Sequence, residues 1–145
     1  MPTPFDITAR VTVAAEPARV WQAAVDWPGQ HRWILATRVA GGHGVGAQVT
    51  GRTGIGPAGF TDQMVITEWD PPRRCVLRHT GRLVRGLGEF EVAPLGAASE
   101  FRWAEYPQLP LPAPAGRVVA VVLRPLAQWG LNLSLRRFAR LLAPS

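Results

Sequence analysis

A chain of 145 residues, 47% apolar and 18% charged, has room for one domain around one core and lies well outside the disordered range. All sixteen basic residues are arginine, which fits a GC-rich bacterial genome; the net charge of +6 is spread from Arg10 to Arg140 without the dense basic run that marks a nucleic-acid-binding segment. A single cysteine, Cys75, excludes an internal disulfide and a cysteine-based zinc cluster.

The first predicted element is a strand, because Phe5, Ile7, Ala9, Val11 and Val13 alternate with Asp6, Thr8, Arg10 and Thr12. Asp6 and Arg10 interrupt any apolar run there, so no signal peptide is expected and the cytoplasm is the expected compartment. Pro17 suits the first turn of a helix, and the spacings Val20 to Ala24 and Trp21 to Val25 carry that helix to about Val25. Asp26 then caps a second short helix, which Pro28 and Gly29 hold to a turn or two.

Glycine and proline clusters from Gly41 onward recur at meander spacing and delimit strands near 34–40, 46–54, 60–69, 74–82, 86–93 and 99–106. A hairpin centred on Pro72 sets Val65 opposite His79, Thr67 opposite Leu77 and Trp69 opposite Cys75. In that register Leu77, His79, Phe90, Val92, Phe101, Trp103 and Glu105 share one face. The other face collects Arg78, Arg82, Glu89, Glu91 and Arg102, with Arg78 near Glu91 and Glu91 near Arg102, a cross-strand charge pattern that supports the phase.

Residues 107–114 are too rich in proline for helix or inner strand and form a stiff connector. The terminal helix is expected from Gly116 to Leu142. Val118, Val122, Leu126, Trp129 and Leu133 make one apolar stripe, and Leu131, Leu135, Phe138 and Leu142 make another on nearly the opposite side. The helix is expected to bend, at Pro125 or Gly130, or to bury different faces along its length. Arg124, Pro125, Gln128, Asn132 and Ser134 interrupt the segment, so no integral membrane span is expected.

The order of elements, the stretches 17–21 (Pro-Ala-Arg-Val-Trp), 51–54 (Gly-Arg-Thr-Gly) and 68–74 (Glu-Trp-Asp-Pro-Pro-Arg-Arg), and the long last helix resemble the START/Bet v 1-like (SRPBCC) superfamily, specifically its bacterial polyketide cyclase/dehydrase-like branch. The resemblance covers nearly all of the chain and implies a single α+β domain, 1–145, with the helix-grip fold. In that fold a seven-stranded antiparallel sheet curves around the C-terminal helix, with two short helices after the first strand, and encloses an apolar pocket for lipids, polyketides or sterols. It also implies that some members are cyclases or aromatases, and that a cavity entrance lies near His31, Trp27 and Trp33.

Within this frame the expected ligand is a small hydrophobic or amphipathic molecule held between the sheet and the last helix, with walls from Trp33, Leu77, Phe90, Val92, Phe101, Trp103, Leu126 and Trp129. His79 and Glu105 are the candidate catalytic pair, since an imidazole and a carboxylate turned into an apolar cavity make an acid/base couple. Arg52 and Asp62, on the two arms of the hairpin around Gly54 to Gly59, are expected to pair and to offer the arginine to an anionic ligand group. The three histidines lack metal-ligand spacing, and the glycine-rich stretches lie between strands and open no helix. No metal, cofactor or nucleic acid is therefore expected. A cyclase, aromatase or dehydratase using His79 or Glu105, and an interaction module using Arg136, Arg137 and Arg140, are the alternatives; the chain is expected to be a monomer or homodimer.

Overall fold

The alternating first segment folds as β1 (Ile7–Val13), turning Ile7, Ala9 and Val13 inward and Thr8, Arg10 and Thr12 outward, in a computed structural model whose described residues are 5–144. Residues 1–4 and 145 of the expected domain lie outside that range. Helix α1 (Pro17–Ala24) starts on Pro17 and buries Val20, Trp21 and Ala24. A 3-10 turn, Trp27–Arg32, stands where the second short helix was expected, with Pro28 in its first turn.

The sheet follows as β2 (Thr37–Gly41), β3 (Gln48–Ile55), β4 (Ala58–Asp70), β5 (Arg74–Thr80), β6 (Arg85–Leu95) and β7 (Ala98–Gln108). The seven strands are antiparallel in the order β1-β7-β6-β5-β4-β3-β2. The proline segment is less of a pure connector than expected. Pro107 lies in β7 opposite Gly86, whose φ of 105° only glycine adopts readily. Helix α2 (Ala113–Leu142) begins among these prolines because its first turn has no backbone donor to lose.

The register differs from expectation in one strand. Trp69 pairs with Cys75 as expected, but a β-bulge between Ile66 and Glu68 takes up one residue, so Ile66 faces Leu77, Met64 faces His79 and Val65 faces Arg78. The extra residue inverts every β4 side chain beyond it, and Asp62, Met64 and Ile66 turn to the concave side. From β5 to β7 the expected faces hold: Phe90 pairs with Trp103, Val92 with Phe101 and Gly88 with Glu105. On the convex face it is Arg74 that stands opposite Glu91, whereas Arg78 pairs with Leu87 and Arg82 lies in the turn after β5. Arg74 binds Glu68 at 3.1 Å, Glu89 at 2.8 Å and also Glu91; Arg102 binds Glu91 at 2.6 Å and also Glu89, to which Tyr106 donates at 3.0 Å. Burial alone would raise the Glu89 carboxyl, but its bonds to Arg102 and Tyr106 hold it below the ordinary value, so Glu89 stays ionised.

Helix α2 buries one face only. Ala120, Leu131, Leu135, Phe138 and Leu142 are buried, and at 3.6 residues per turn they share an azimuth. The expectation that the two halves bury different faces is overturned: Val118, Val122, Leu126 and Trp129 point outward. In the first half, Arg124 and Gln128 donate to the Asp6 and Thr8 carbonyls, 3.2 and 2.8 Å away, covering the β1 edge of the sheet. In the second half, Phe138 packs 4.6 Å from Phe101 and 4.9 Å from Trp33, whose indole also meets Phe90 and Trp103. Trp33 is the hub of the core.

Candidate functional site

The bulge in β4 brings Asp62 onto the same concave surface as β5 and β7. There His79 lies buried between two carboxylates: Nδ1 is 2.8 Å from Asp62 Oδ1 and Nε2 is 3.0 Å from Glu105 Oε2. Trp103 donates its indole N–H to the other oxygen, Glu105 Oε1, at 2.8 Å. Gly88 makes room for this arrangement, since a Cβ there would lie 2.8 Å from both Glu105 oxygens. Burial alone would lower the imidazole pKa, but the hydrogen bonds to Asp62 and Glu105 and their charges prevail and raise it to about 10. At neutral pH the ring is an imidazolium donating from both nitrogens.

These groups line a cavity of about 150 Å³, a volume that in an apolar setting admits a benzene ring. Leu77, Phe90, Met64 and Val49 supply apolar wall from the sheet. The far side is Trp27, Gln30 and Ile34, from the 3-10 turn and the chain just after it. Two hydrogen bonds hold that roof: Trp27 Nε1 donates to the Gly42 carbonyl at 2.7 Å and Gln30 Nε2 to the Ala24 carbonyl at 2.8 Å. Thr37 and Thr53, 3.0 Å apart between their hydroxyls, also line it. Among the described residues no arginine lines the cavity. Glu89 borders it, but its carboxylate is bound on the opposite face by Arg74 and Arg102. Two carboxylates against one imidazolium leave the polar end with one negative charge in a chain of net +6.

The expected site residues divide into three groups. Asp62, Leu77, His79, Phe90, Trp103 and Glu105 meet in the cavity. Trp33, Val92 and Phe101 are buried in the core behind it, filled in by Phe138. Arg52, Leu126 and Trp129 lie elsewhere: Arg52 faces Thr61 in the register and donates to the Gly56 carbonyl at 3.2 Å on the other side of the sheet, so no pair with Asp62 forms. The α2 residues are outward, and the cavity lies between sheet and 3-10 turn rather than between sheet and α2. His31 is exposed, its Nδ1 2.7 Å from the Pro28 carbonyl, beside Arg52 in a separate shallow depression. His43 stacks on Trp69 at 5.3 Å and bonds the Val25 carbonyl, a packing role. Among the described residues no group of three His, Cys, Asp or Glu is arranged to hold a metal ion. Burial pushes the Cys75 thiol up to about 12, which leaves it unreactive.

Sequence reasoning missed the second carboxylate on His79 and the roof residues Gln30 and Ile34, although it had placed a cavity entrance at the corner that holds Trp27. No sequence signal marks the first, because Met64, Val65 and Ile66 are all apolar and fit either phase of β4.

Residues 4–143 match the family described as polyketide cyclase / dehydrase and lipid transport. Among solved structures, a Thermus thermophilus protein superposes with a TM-score of 0.76 at 17% identity, covering 93% of this chain and 94% of its own. A Chromobacterium violaceum protein gives 0.71 at 17% identity over 99% and 100% of the two chains. A protein from the dynemicin biosynthetic locus gives 0.70 at 15% identity; 94% of this chain aligns with 46% of that one. No curated protein matches the sequence.

Proposed function

The chain belongs to the polyketide cyclase/dehydrase and lipid transport family, and from that premise we propose that it binds a compact, largely apolar, ring-bearing molecule in the sheet cavity, anchored by a hydrogen-bond donor on Asp62. One observation carries the reading: a doubly bound imidazolium and its two carboxylates are the charged end of a chamber whose other walls are mainly apolar and aromatic. His79 uses both N–H groups on the carboxylates, and Glu105 has each oxygen engaged, by His79 and by Trp103. Asp62 accepts from His79 through Oδ1 alone, so Oδ2 is the acceptor left for a ligand hydroxyl, phenol or amine. The negative balance and the lack of arginine disfavour a fatty-acid carboxylate, which would meet like charge with no cation to receive it.

Tryptophan fluorescence titration with phenols, aromatic amines and fatty acids tests this, because Trp27 and Trp103 border the cavity. Quenching by the donors, absent with the fatty acids and weakened about tenfold in Asp62→Asn through loss of one charged acceptor bond, is the expected result. Equal affinity for fatty acids would refute it.

A second reading has the same trio move protons on a poly-β-keto chain. Asp62 would take the proton next to a carbonyl through Oδ2, and the His79 imidazolium would donate to the carbonyl oxygen once one of its two N–H bonds is exchanged for it. The family description favours it. Turnover of a model polyketide that survives Asp62→Asn, Glu105→Gln and His79→Gln together would exclude it.

A further inference from the structure

The first half of α2 leaves large apolar side chains in water. Val118, Val122, Leu126 and Trp129 are 65%, 67%, 64% and 52% exposed. Over the most apolar eighteen residues of the helix the mean hydropathy is 1.3, yet 22% of them are buried. A helix apolar all round is ordinarily covered all round, and a contiguous exposed apolar face marks an interaction surface. The helix does not cross a membrane in this fold, because Leu131, Leu135, Phe138 and Leu142 hold its second half in the protein core.

What covers the face is indicated by the residues that continue it. At 100° per residue Val118, Val122 and Trp129 share an azimuth with Arg136 and Arg140 to within about 40°, and both arginines are exposed. The outward line of α2 is thus apolar for about 16 Å, from Val118 to Trp129, and ends in a cationic turn of about 6 Å between Arg136 and Arg140. The whole helix carries Arg117, Arg124, Arg136, Arg137 and Arg140 but no Asp or Glu. A second copy of this helix would cover the apolar half and offer Arg136 and Arg140 no carboxylate. A surface with an apolar layer beneath a negative one matches both halves at once, as for helices lying in a bilayer interface.

We infer that the outward face of α2 docks the protein on an anionic lipid bilayer, with Val118, Val122, Leu126 and Trp129 entering the headgroup layer and Arg136 and Arg140 against lipid phosphates. This docking stands apart from what the cavity binds.

Flotation with vesicles of phosphatidylcholine, and of phosphatidylcholine mixed with phosphatidylglycerol, tests it, alongside sedimentation equilibrium without lipid. The wild type floats with the anionic vesicles and is released by salt. Each arginine at such a surface is worth roughly fivefold in affinity, so R136Q/R140Q binds about twenty-five-fold more weakly. V122D/L126D, both at exposed positions, keeps the wild-type circular dichroism and no longer floats. Failure of the wild type to bind anionic vesicles overturns the inference, as does binding that ignores lipid charge or both double variants. A lipid-free dimer that V122D/L126D dissociates also overturns it, in favour of a second copy.

Discussion

The buried imidazolium makes stability fall with rising pH across the neutral range, opposite to the usual effect of native carboxylate pairs. His79 titrates near its ordinary 6.5 when the chain is unfolded and at about 10 when folded. Below about pH 6.5 both states hold the proton and the contribution is complete; between the two values only the folded state holds it, so each pH unit removes about 1.4 kcal/mol. Above about 10 the contribution is gone. From about pH 7 to 8.5 the loss is about 2 kcal/mol. The Cys75 thiol, pushed up to about 12, steepens the decline once unfolded thiols ionise above about pH 8.5, so the lower window isolates His79. Urea unfolding followed by tryptophan fluorescence at constant ionic strength measures it. The wild type loses stability steadily across the window, His79→Gln is flat, and Asp62→Asn, which leaves only the Glu105 bond, has a decline that ends at lower pH. A flat wild-type profile, or an equal slope in His79→Gln, refutes the reasoning.

Other outcomes follow from the same contacts. In Gly88→Ala the new Cβ meets both Glu105 oxygens at 2.8 Å, so the carboxylate swings off His79 and the imidazole titrates lower in an NMR pH titration; an unchanged titration would show that Glu105 does not need the glycine. Trp33→Ala empties the hub among Phe90, Phe101, Trp103 and Phe138 and costs about 3–5 kcal/mol in urea unfolding. Trp129→Ala, in contrast, stays within about 0.5 kcal/mol of wild type because the residue is exposed; equal losses for the two tryptophans would contradict the placement of α2. Arg52→Gln leaves ligand titration unchanged, since Arg52 lies across the sheet from the cavity.

Local patterns reach far into this molecule. Period-two alternation and turn residues locate the strands, and the opposed charges of Glu91 and Arg102 set the phase of β5 to β7, which puts His79, Phe90, Trp103 and Glu105 on one face. Two features escape that logic. Register in β4 depends on whether one residue at Thr67 is absorbed by a bulge; alternation is periodic and carries no count of inserted residues, so by itself it assigns Asp62 to Arg52 instead of His79. In α2 the apolar residues encircle the helix, and a pattern without a polar side does not say which stripe the sheet will cover. Tertiary packing makes that choice. Phe138 fits against Trp33 and Phe101, Arg124 and Gln128 satisfy the β1 edge, and with those contacts made the stripe of Leu126 and Trp129 is rotated outward. The elements and their faces are thus properties of the chain itself, whereas the closing of an imidazole between two carboxylates, and the exposure of half an apolar helix, arise only when side chains distant in sequence compete for the same space.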